Sequence, residues 1–410
     1  MKKNVVLFYG IPAYGHVYSN LYLAGRLAKI GVPVIYYSTE TFRMAIEANG
    51  CLYRPYPICQ ETLDLTDGKK ILKLYRLILQ YTQEMLPALL KDAKKILPCG
   101  VIFESLALWG RAISDMLSLP SFSFYSIAAI HWPKGNGFFA YARGFSGDFL
   151  SHTGEILPAM RLKFQLKRRY PLKKLGLLPV LMNKGTYNLM GYSRRFQPGG
   201  KSFGNDYLFL GPLASHRHTI EANDFACPDK PFIYVSLGTV FNQDPMLVRE
   251  LVRQFGQARG GPEKGGGKHT ANCPVILVWD GKAGTAPIRF PPNFIVRPFV
   301  NQAEIFPRAS LFITAGGVNS IHEALSHGVP CLLCPQQGEQ FLNARQFEKM
   351  GFGKILKNPA SLYQEAQETI RLKDTWDKTW QQEMTSLHIN RALWLIRRCC
   401  LPQTPPGPLP

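Results

Sequence analysis

Short apolar runs that alternate with helical periodicity constrain the fold of this chain more than any other feature. Residues 4–9 form an apolar run closed by a Gly/Pro turn, residues 17–30 carry leucines at helical spacing, and residues 32–37 return to strand composition. Strands and helices in this order form βαβ units, and continuously apolar strands indicate a parallel sheet covered on both faces. We therefore predict that the chain begins with a doubly wound α/β domain.

The same alternation starts again near residue 230. The predicted strands there are 232–237, 275–279, 294–296, 311–314 and 331–334, with helices at 245–257 and 321–327. A chain of 410 residues, 46% of them hydrophobic, can bury two cores of ordinary size. We expect two Rossmann-like domains that face each other across a cleft, because open α/β sheets bind ligands beyond the carboxyl ends of their strands.

The predicted boundaries follow composition. We predict an N-terminal domain at 1–212, a linker at 213–229, a C-terminal domain at 230–372, a helical segment at 373–398 and a disordered Pro-rich tail at 399–410. Three stretches do not fit the alternation: the basic residues 155–195, the Gly-rich residues 256–272 and the tail. We assign the tail no catalytic role.

The charge of the chain and its cysteines limit the kinds of binding partner and the cellular compartment that we expect. The chain has 48 Lys and Arg against 28 Asp and Glu, and its formal charge of +20 favours phosphates, nucleic acid or acidic lipid. No aromatic-basic RNA motif occurs, so we do not expect a nucleic-acid partner. Nine scattered cysteines and an N-terminus that reads as a strand, not as a signal peptide, predict reduced thiols in a cytoplasmic protein. No apolar run is long enough to predict a transmembrane helix.

The loop after the first strand carries a candidate proton acceptor, His16, at the start of a helix. The loop has neither GxGxxG spacing nor the Lys-Ser/Thr of a P-loop, so the histidine is its notable residue. Glu104 ends the strand at 101–103 at the same sheet edge, where a carboxylate could orient the imidazole and offset its positive charge. A structural hydrogen-bonding histidine and a capping or solvated glutamate are the competing interpretations.

A strand that runs through Gly316 and Gly317 into a helix is the second candidate site. The amides at the start of that helix can hold a diphosphate, and Asn319 and Ser320 add donors. Glu323 could accept hydrogen bonds from ribose hydroxyls, although an acidic residue early in a helix also favours the helix dipole.

A third polar group follows the next predicted strand. Glu339 and Gln340, in the sequence PQQGEQ, present a carboxylate and an amide that could grip vicinal sugar hydroxyls. A surface turn explains the same residues.

The order of these motifs resembles that of the UDP-glycosyltransferase superfamily with the GT-B fold, especially its bacterial macrolide-glycosyltransferase-like branch. The stretch GHVYSNL resembles the family motif GHxNPxL, IFESLALWGR its strand end with an Asp, and YSRRFQP and FLGP its approach to the second domain. The stretches YVSLGTVFN, FIVRPFVNQAEIF, FITAGGVNSIHEAL and PQQGEQFLNARQ resemble the donor-binding half. The resemblance runs from Met1 to about Leu372.

This resemblance implies an inverting transfer from a UDP-sugar to a small lipophilic acceptor such as a macrolide or flavonoid. His16 would take the proton of the acceptor hydroxyl, Glu104 would stabilise the imidazolium, and no metal or further cofactor is implied. The implied donor-binding residues are Ser236, Gly238, Thr239, Val300, Gln302, Ala315, Gly316, Gly317, Asn319, Ser320, Glu323, Glu339 and Gln340. Phe138, Phe139 and Tyr141, with Phe145, form an aromatic stretch that we assign to the acceptor, although packing explains it equally.

Four departures from the family pattern bear on activity. Glu104 stands where the family has Asp, and Ala315 stands where a His donates to the leaving diphosphate. Asn301 replaces the usual Pro before Gln302, and Tyr18 and Ser19 replace Asn-Pro. A nucleotide-binding pseudoenzyme with weakened or lost transfer is therefore the alternative function.

The basic residues of the segment 163–175 alternate with apolar ones, which permits peripheral membrane contact near the acceptor side. A solvated helix face is the competing interpretation.

Overall fold

The computed structural model describes residues 4–58, 71–129, 153–213, 223–238, 245–256, 273–281, 287–336 and 338–400. The predicted acceptor residues Phe138, Phe139, Tyr141 and Phe145 lie outside these ranges, as do Thr239 and residues 257–272. None of the described helices is long and apolar enough to span a bilayer.

The chain divides into two compact units. Unit 1 comprises Met1–Arg217 together with Ser386–Pro410, and unit 2 comprises His218–Thr385. The division falls inside the predicted linker, but the end of the chain belongs to unit 1, which the predicted boundaries did not include. The last helix also contains Cys399 and Cys400, so the predicted start of the tail at 399 is wrong; Cys400 is buried in the core.

Unit 1 is built on a seven-stranded parallel sheet. Its strands are β1 (Val6–Tyr9), β2 (Val34–Ser38), β3 (Leu52–Pro55), β4 (Gly100–Glu104), β5 (Ser121–Tyr125), β6 (Tyr187–Met190) and β7 (Tyr207–Phe209), in the order β3-β2-β1-β4-β5-β6-β7. Its helices are α1 (Tyr14–Lys29), α2 (Arg43–Ala48), α3 (Ile71–Ile96), α4 (Leu108–Met116), α5 (Ile156–Arg169) and α6 (Leu177–Met182).

Unit 2 repeats this topology with a six-stranded parallel sheet. Its strands are β8 (Phe232–Ser236), β9 (Val275–Val278), β10 (Phe294–Arg297), β11 (Ala309–Thr314), β12 (Cys331–Leu333) and β13 (Gly353–Ile355), in the order β10-β9-β8-β11-β12-β13. Its helices are α7 (Pro245–Phe255), α8 (Gln302–Ile305), α9 (Val318–Ser326), α10 (Gly338–Lys349), α11 (Leu362–Arg371) and α12 (Lys378–Thr385); a last helix, α13 (Ile389–Cys400), returns to unit 1.

Apolar residues on both faces hold each sheet between its helices. In β1, Val6 and Phe8 join one core of unit 1 while Leu7 and Tyr9 join the other, and all four are fully buried. This continuous burial is what the unbroken apolar run predicts for a parallel strand. The predicted fold of two doubly wound, Rossmann-like α/β domains is confirmed.

Helix α13 completes the core of unit 1. Its residues Ile389, Leu393 and Ile396 are buried in the cluster that contains Val6 and Phe8. The amide of His388 donates to the carbonyl of Leu210 at 2.9 Å, which fixes the start of the helix.

Candidate active site

His16 and Glu104 lie at the switch point of the first sheet. Strand β1 pairs with β2 on one side and with β4 on the other, so the strand order reverses between β1 and β4. His16 stands in the first turn of α1, just after β1, and Glu104 is the last residue of β4. The crevice beyond such a switch point is where open α/β sheets bind their ligands.

The two side chains form a close pair that a serine joins. The Nδ1 atom of His16 lies 2.9 Å from Oε1 of Glu104 and 2.9 Å from Oγ of Ser126. The Ser126 hydroxyl donates to the same Glu104 oxygen at 2.5 Å. The amide of Leu106 donates to the other oxygen, Oε2, at 3.1 Å, so both carboxylate oxygens accept hydrogen bonds.

These contacts set the charge and the tautomer of the pair. The Glu104 side chain is fully buried, which by itself raises its pKa, but the charge of His16 and hydrogen bonds from His16, Ser126 and Leu106 outweigh burial and lower it. An ionised carboxylate can only accept, so the geometry assigns a proton to Nδ1 and makes Nε2 the basic nitrogen. The His16 side chain is 21% exposed, enough to meet a substrate.

The extra methylene of Glu104 does not break the pair. The carboxylate of Glu104 reaches the imidazole of His16 at 2.9 Å.

Sequence reasoning did not find Ser126. Strand β5 lies beside β4 in a register that pairs Phe124 with Glu104, and Ser126 follows β5 directly. A polar residue just past a strand at this sheet edge was the available signal.

Gly10, in the loop before His16, has a packing role. A Cβ at this position would lie 2.3 Å from the hydroxyl oxygen of Tyr36, and the Gly10 carbonyl accepts a hydrogen bond from Tyr56 at 2.8 Å. The glycine thus makes room for a tyrosine of β2. In this loop, the side chain of His16 is the group that can do chemistry.

The predicted diphosphate site lies at the switch point of the second sheet. Strand β8 pairs with β9 and β11, and Ser236 at the end of β8 is in register with Thr314 at the end of β11. Beyond Thr314 the chain turns through Gly316 at φ +86°, a left-handed conformation that favours glycine, and enters α9. Side-chain atoms brace this turn: Gly316 N donates to Thr314 Oγ1 at 3.4 Å, and Asn343 Nδ2 donates to Gly316 O at 3.2 Å.

Gly317 caps the start of α9 and has space in front of it. A Cβ at Gly317 would have no atom within 4 Å, and Asn319 and Ser320 are half-buried in the first turn. Amides in the first turn of a helix have no partner within the helix and attract anions. The turn therefore has the geometry of a phosphate cradle.

Ala315 and Glu323 flank this cradle. Ala315 is 2% exposed and supplies no side-chain donor, as the sequence indicates. Glu323 is 1% exposed and lies beyond the first turn of α9. The first turn itself contains no acidic residue. A role in offsetting the helix dipole therefore does not explain Glu323.

A second helix start contains the predicted base-binding residues. Asn301 caps α8 through its side chain, which accepts from the Ala303 amide at 3.2 Å, and this accounts for an Asn in place of the family's Pro. Gln302 begins the helix, and its Oε1 is buried with no hydrogen-bond partner in the described part of the chain. The preceding Val300 is 4% exposed.

Three further predicted donor residues, Glu339, Gln340 and Gly238, differ in their burial and contacts. Glu339 is half-buried in the first turn of α10, and Gln340 uses its Oε1 to accept the Gln336 amide at 2.8 Å. Gln340 thus stabilises its own loop. Gly238, at φ +103°, has no atom within 4 Å of an added Cβ.

Potential metal ligands do not cluster in the ranges that the structure covers. No group of three or more His, Cys, Asp or Glu side chains there could hold a metal ion.

Two Rossmann-like units in sequence, each with polar groups at its switch point, form the GT-B fold of glycosyltransferases. The solved structure of the glycotransferase of kitacinnamycin is similar, with a TM-score of 0.78 and 19% identity over 98% of this chain and 100% of that chain.

Comparison of sequences leads to the family. The model of the family "UDP-glucoronosyl and UDP-glucosyl transferase" matches residues 268–370. The uncharacterized UDP-glucosyltransferase YojK of Bacillus subtilis is 26% identical over 89% of this chain and 88% of its own length. The demethyllactenocin mycarosyltransferase of Streptomyces fradiae is 25% identical over 86% of this chain and 75% of its own length. The chain is thus similar to the UDP-glycosyltransferase superfamily, including a relative from its macrolide-glycosyltransferase-like branch, and the relatives named here are sugar transferases.

Proposed function

We propose that the chain transfers a sugar, with inversion, from a UDP-sugar to a hydroxyl of a small lipophilic acceptor. The observation that carries the proposal is the cluster of His16, Glu104 and Ser126 at the switch point of unit 1. A histidine held in one tautomer by a buried carboxylate is the arrangement that general-base catalysis requires.

In the proposed reaction, Nε2 of His16 takes the proton of the acceptor hydroxyl. The hydroxyl oxygen forms a bond to the anomeric carbon while the bond from that carbon to the diphosphate oxygen breaks, and UDP leaves with the bonding electrons. Attack from the face opposite UDP inverts the anomeric centre. Glu104 stabilises the imidazolium, and Ser126 holds the carboxylate in place.

The donor would bind to unit 2. Gly317, Asn319 and Ser320 would hold the diphosphate at the start of α9, because the space in front of Gly317 suits a large anion. The unpartnered Oε1 of Gln302 suits the N–H of uracil, and the buried Glu323 carboxylate suits ribose hydroxyls.

The other assignments rest on the family resemblance. They are Ser236 and Gly238 near the diphosphate, Val300 at uracil and Glu339 with Gln340 at the sugar.

A lipophilic natural product as acceptor follows from the relatives. The Streptomyces fradiae relative is named for mycarosyl transfer to demethyllactenocin. The proposal needs no metal or cofactor, since its charge stabilisation comes from backbone amides and the helix start. We expect the reaction to take place in the cytoplasm.

Ala315 favours a second candidate, a pseudoenzyme that binds UDP with weak or no turnover. The buried methyl group of Ala315 offers the leaving diphosphate no hydrogen bond. The intact pairing of Glu104 with His16 argues for the enzyme instead.

Mass spectrometry of products from several UDP-sugars and a panel of aglycones tests the proposal. We expect a mass gain of one hexosyl unit on at least one acceptor, and a rate lower by roughly a hundred- to ten-thousandfold in His16→Ala, which lacks the base. Calorimetric binding of UDP measures the donor site independently. UDP binding without product from any pair would identify the pseudoenzyme, whereas no UDP binding would contradict both candidates.

A further inference from the structure

Helix α5 on unit 1 has an unusual outward face. Leu157, Met160 and Phe164 are 78%, 60% and 67% exposed, and they follow one another at spacings of three and four residues. This spacing places all three on one side of the helix. The opposite side carries Ala159 and Leu166, which are 2% and 1% exposed and join the core that contains α3.

Cations share the outward face with these apolar residues. Arg161, Lys167 and Arg168 are exposed, and they form no ion pair within the described ranges. At 100° per residue they fall within about a quarter turn of the apolar stripe. We call these six residues, Leu157, Met160, Arg161, Phe164, Lys167 and Arg168, the α5 face.

The charge around this face has one sign over a long stretch. Residues 156–205 contain eleven Lys and Arg and no Asp or Glu, which is more than half of the net charge of the chain. A stretch of this kind creates a local positive potential that attracts a polyanionic surface.

The α5 face differs from the membrane segment expected from sequence. Leu166, Leu172 and Leu175 of the segment 163–175 are buried and pack inward, so they cannot meet a bilayer. Only Phe164 of those apolar residues is exposed, and its exposed neighbours lie earlier in the helix, at Leu157 and Met160.

We propose that the α5 face docks unit 1 on the surface of an anionic lipid bilayer. Three large apolar side chains can enter the boundary between headgroups and acyl chains while the three cations meet the lipid phosphates. A nucleic acid would use the cations but would leave Leu157, Met160 and Phe164 without an apolar environment. The combination of both groups on one helix side therefore selects a bilayer.

Vesicle co-sedimentation of the full chain tests this inference. We expect binding to phosphatidylglycerol vesicles at low salt, weaker binding at high salt and little binding to phosphatidylcholine vesicles. The variant Arg161→Gln/Lys167→Gln/Arg168→Gln should lower the partition coefficient roughly a hundredfold, because each cation near the surface contributes about a fivefold effect. The variant Leu157→Ser/Met160→Ser/Phe164→Ser should lower it by at least about tenfold.

Matched controls on the same unit distinguish binding through the α5 face from a general effect of positive charge or of exposed apolar side chains. Lys91→Gln/Lys94→Gln/Lys95→Gln removes the same charge from exposed positions of α3, and Met44→Ser/Leu52→Ser removes exposed apolar side chains. Both controls should bind nearly as the native chain does. Circular dichroism and the Tm should be unchanged in every variant, since the replaced side chains are exposed.

Three results would overturn the inference. They are a native chain that stays in the supernatant with phosphatidylglycerol vesicles at low salt, an α3 control that loses as much binding as the α5 charge variant, and duplex DNA binding that equals vesicle binding and ignores the apolar substitutions.

Discussion

Ser126 is the residue that the structure adds to the proposed site. It lies 22 positions from Glu104 and 110 from His16 along the chain, and the pairing of β4 with β1 and with β5 brings the three together. His16 and Glu104 could be predicted because each sits at a strand end beside a recognisable motif. Ser126 carries no motif, so its role depends on register.

Removing parts of this cluster should have graded effects. Glu104→Gln removes the charge that stabilises the imidazolium and should lower kcat by roughly a hundred- to ten-thousandfold, as loss of the acid does in comparable triads. Ser126→Ala removes one hydrogen bond to the carboxylate and should lower kcat by about tenfold. Steady-state kinetics on the best substrate pair would measure both.

Ser126→Thr is the matched control, because it keeps the hydroxyl. It should retain most of the activity that Ser126→Ala loses. Equal kcat values for Ser126→Ala and the native chain would show that the serine does not position Glu104.

Gln340 marks the limit of residue-level prediction in unit 2. Its sequence context predicts a hydrogen bond to the sugar, which stays a prediction, and its Oε1 accepts the Gln336 amide of its own loop. Side-chain amides bond nearby backbone as readily as ligands, and sequence does not distinguish the two.

Among the elements, those in continuously apolar runs could be predicted, and some of those beside or containing polar residues could not. The strands predicted at 232–237, 275–279 and 331–334 match β8, β9 and β12 within one residue, and the apolar run at 4–9 contains β1. Strands β6 and β7 were missed because polar residues interrupt the apolar pattern there: β6 contains the buried Asn188, and Asp206 directly precedes β7. Asn188 is tolerated there because it hydrogen-bonds Asp206 beside β7, a contact that local pattern cannot reveal.

The turn between β11 and α9 allows a matched pair of glycine substitutions. Gly316 has φ +86°, so Gly316→Ala should destabilise the protein by about 1–2 kcal/mol. Gly317 has φ −59° and open space at its Cβ, so Gly317→Ala should leave stability nearly unchanged while it weakens UDP binding by crowding the cradle. Denaturant unfolding and calorimetry with UDP measure the two effects.

A stability loss in Gly317→Ala, or none in Gly316→Ala, would contradict this account of the turn. If Gly317→Ala bound UDP as tightly as the native chain, the space before α9 would not hold the diphosphate.

Helix α9 also carries a pH-sensitive group. Burial lowers the pKa of His322 from 6.5 to about 4, and a hydrogen bond to the Val318 carbonyl only partly offsets this. The unfolded chain therefore binds a proton at a higher pH than the folded chain does. Stability should fall as pH decreases from 6.5 toward 4, by about 3 kcal/mol in total from this residue.

The substitution His322→Gln should flatten that part of the pH dependence. Unfolding free energies of the native chain and the variant at pH 7 and pH 5 isolate the contribution, since the other histidines are common to both. Parallel pH profiles would show that His322 does not control acid stability.

At the scale of the whole molecule, the predicted boundaries left the last helix as a separate segment without a packing partner. Helix α13 is amphipathic, and such a stripe fits any apolar surface, so its partner could not be read from sequence. The structure assigns it to unit 1, where Gly211, at φ +83°, lets the chain pass close to the Ser386 carbonyl.

The packing of α13 predicts that unit 1 depends on it. Ile396 is fully buried against the core of unit 1, so Ile396→Ala should lower the free energy of unfolding by about 2–4 kcal/mol. Arg391→Ala, at an exposed position of the same helix, should have little effect. Calorimetric scans should show the lower stability in the unfolding transition of unit 1. A shift confined to the transition of unit 2 would contradict the assignment of α13 to unit 1.

The non-contiguous chain path of unit 1 sets an order of events on the ribosome. About 170 residues of unit 2 separate the body of unit 1 from the helix that covers its core, which at about 5–20 residues per second means roughly 10–30 s of further synthesis. During that interval the nascent unit 1 exposes the apolar surface meant for α13. The second unit can close as soon as residue 385 emerges, so the half of the protein that is translated first is the last to mature.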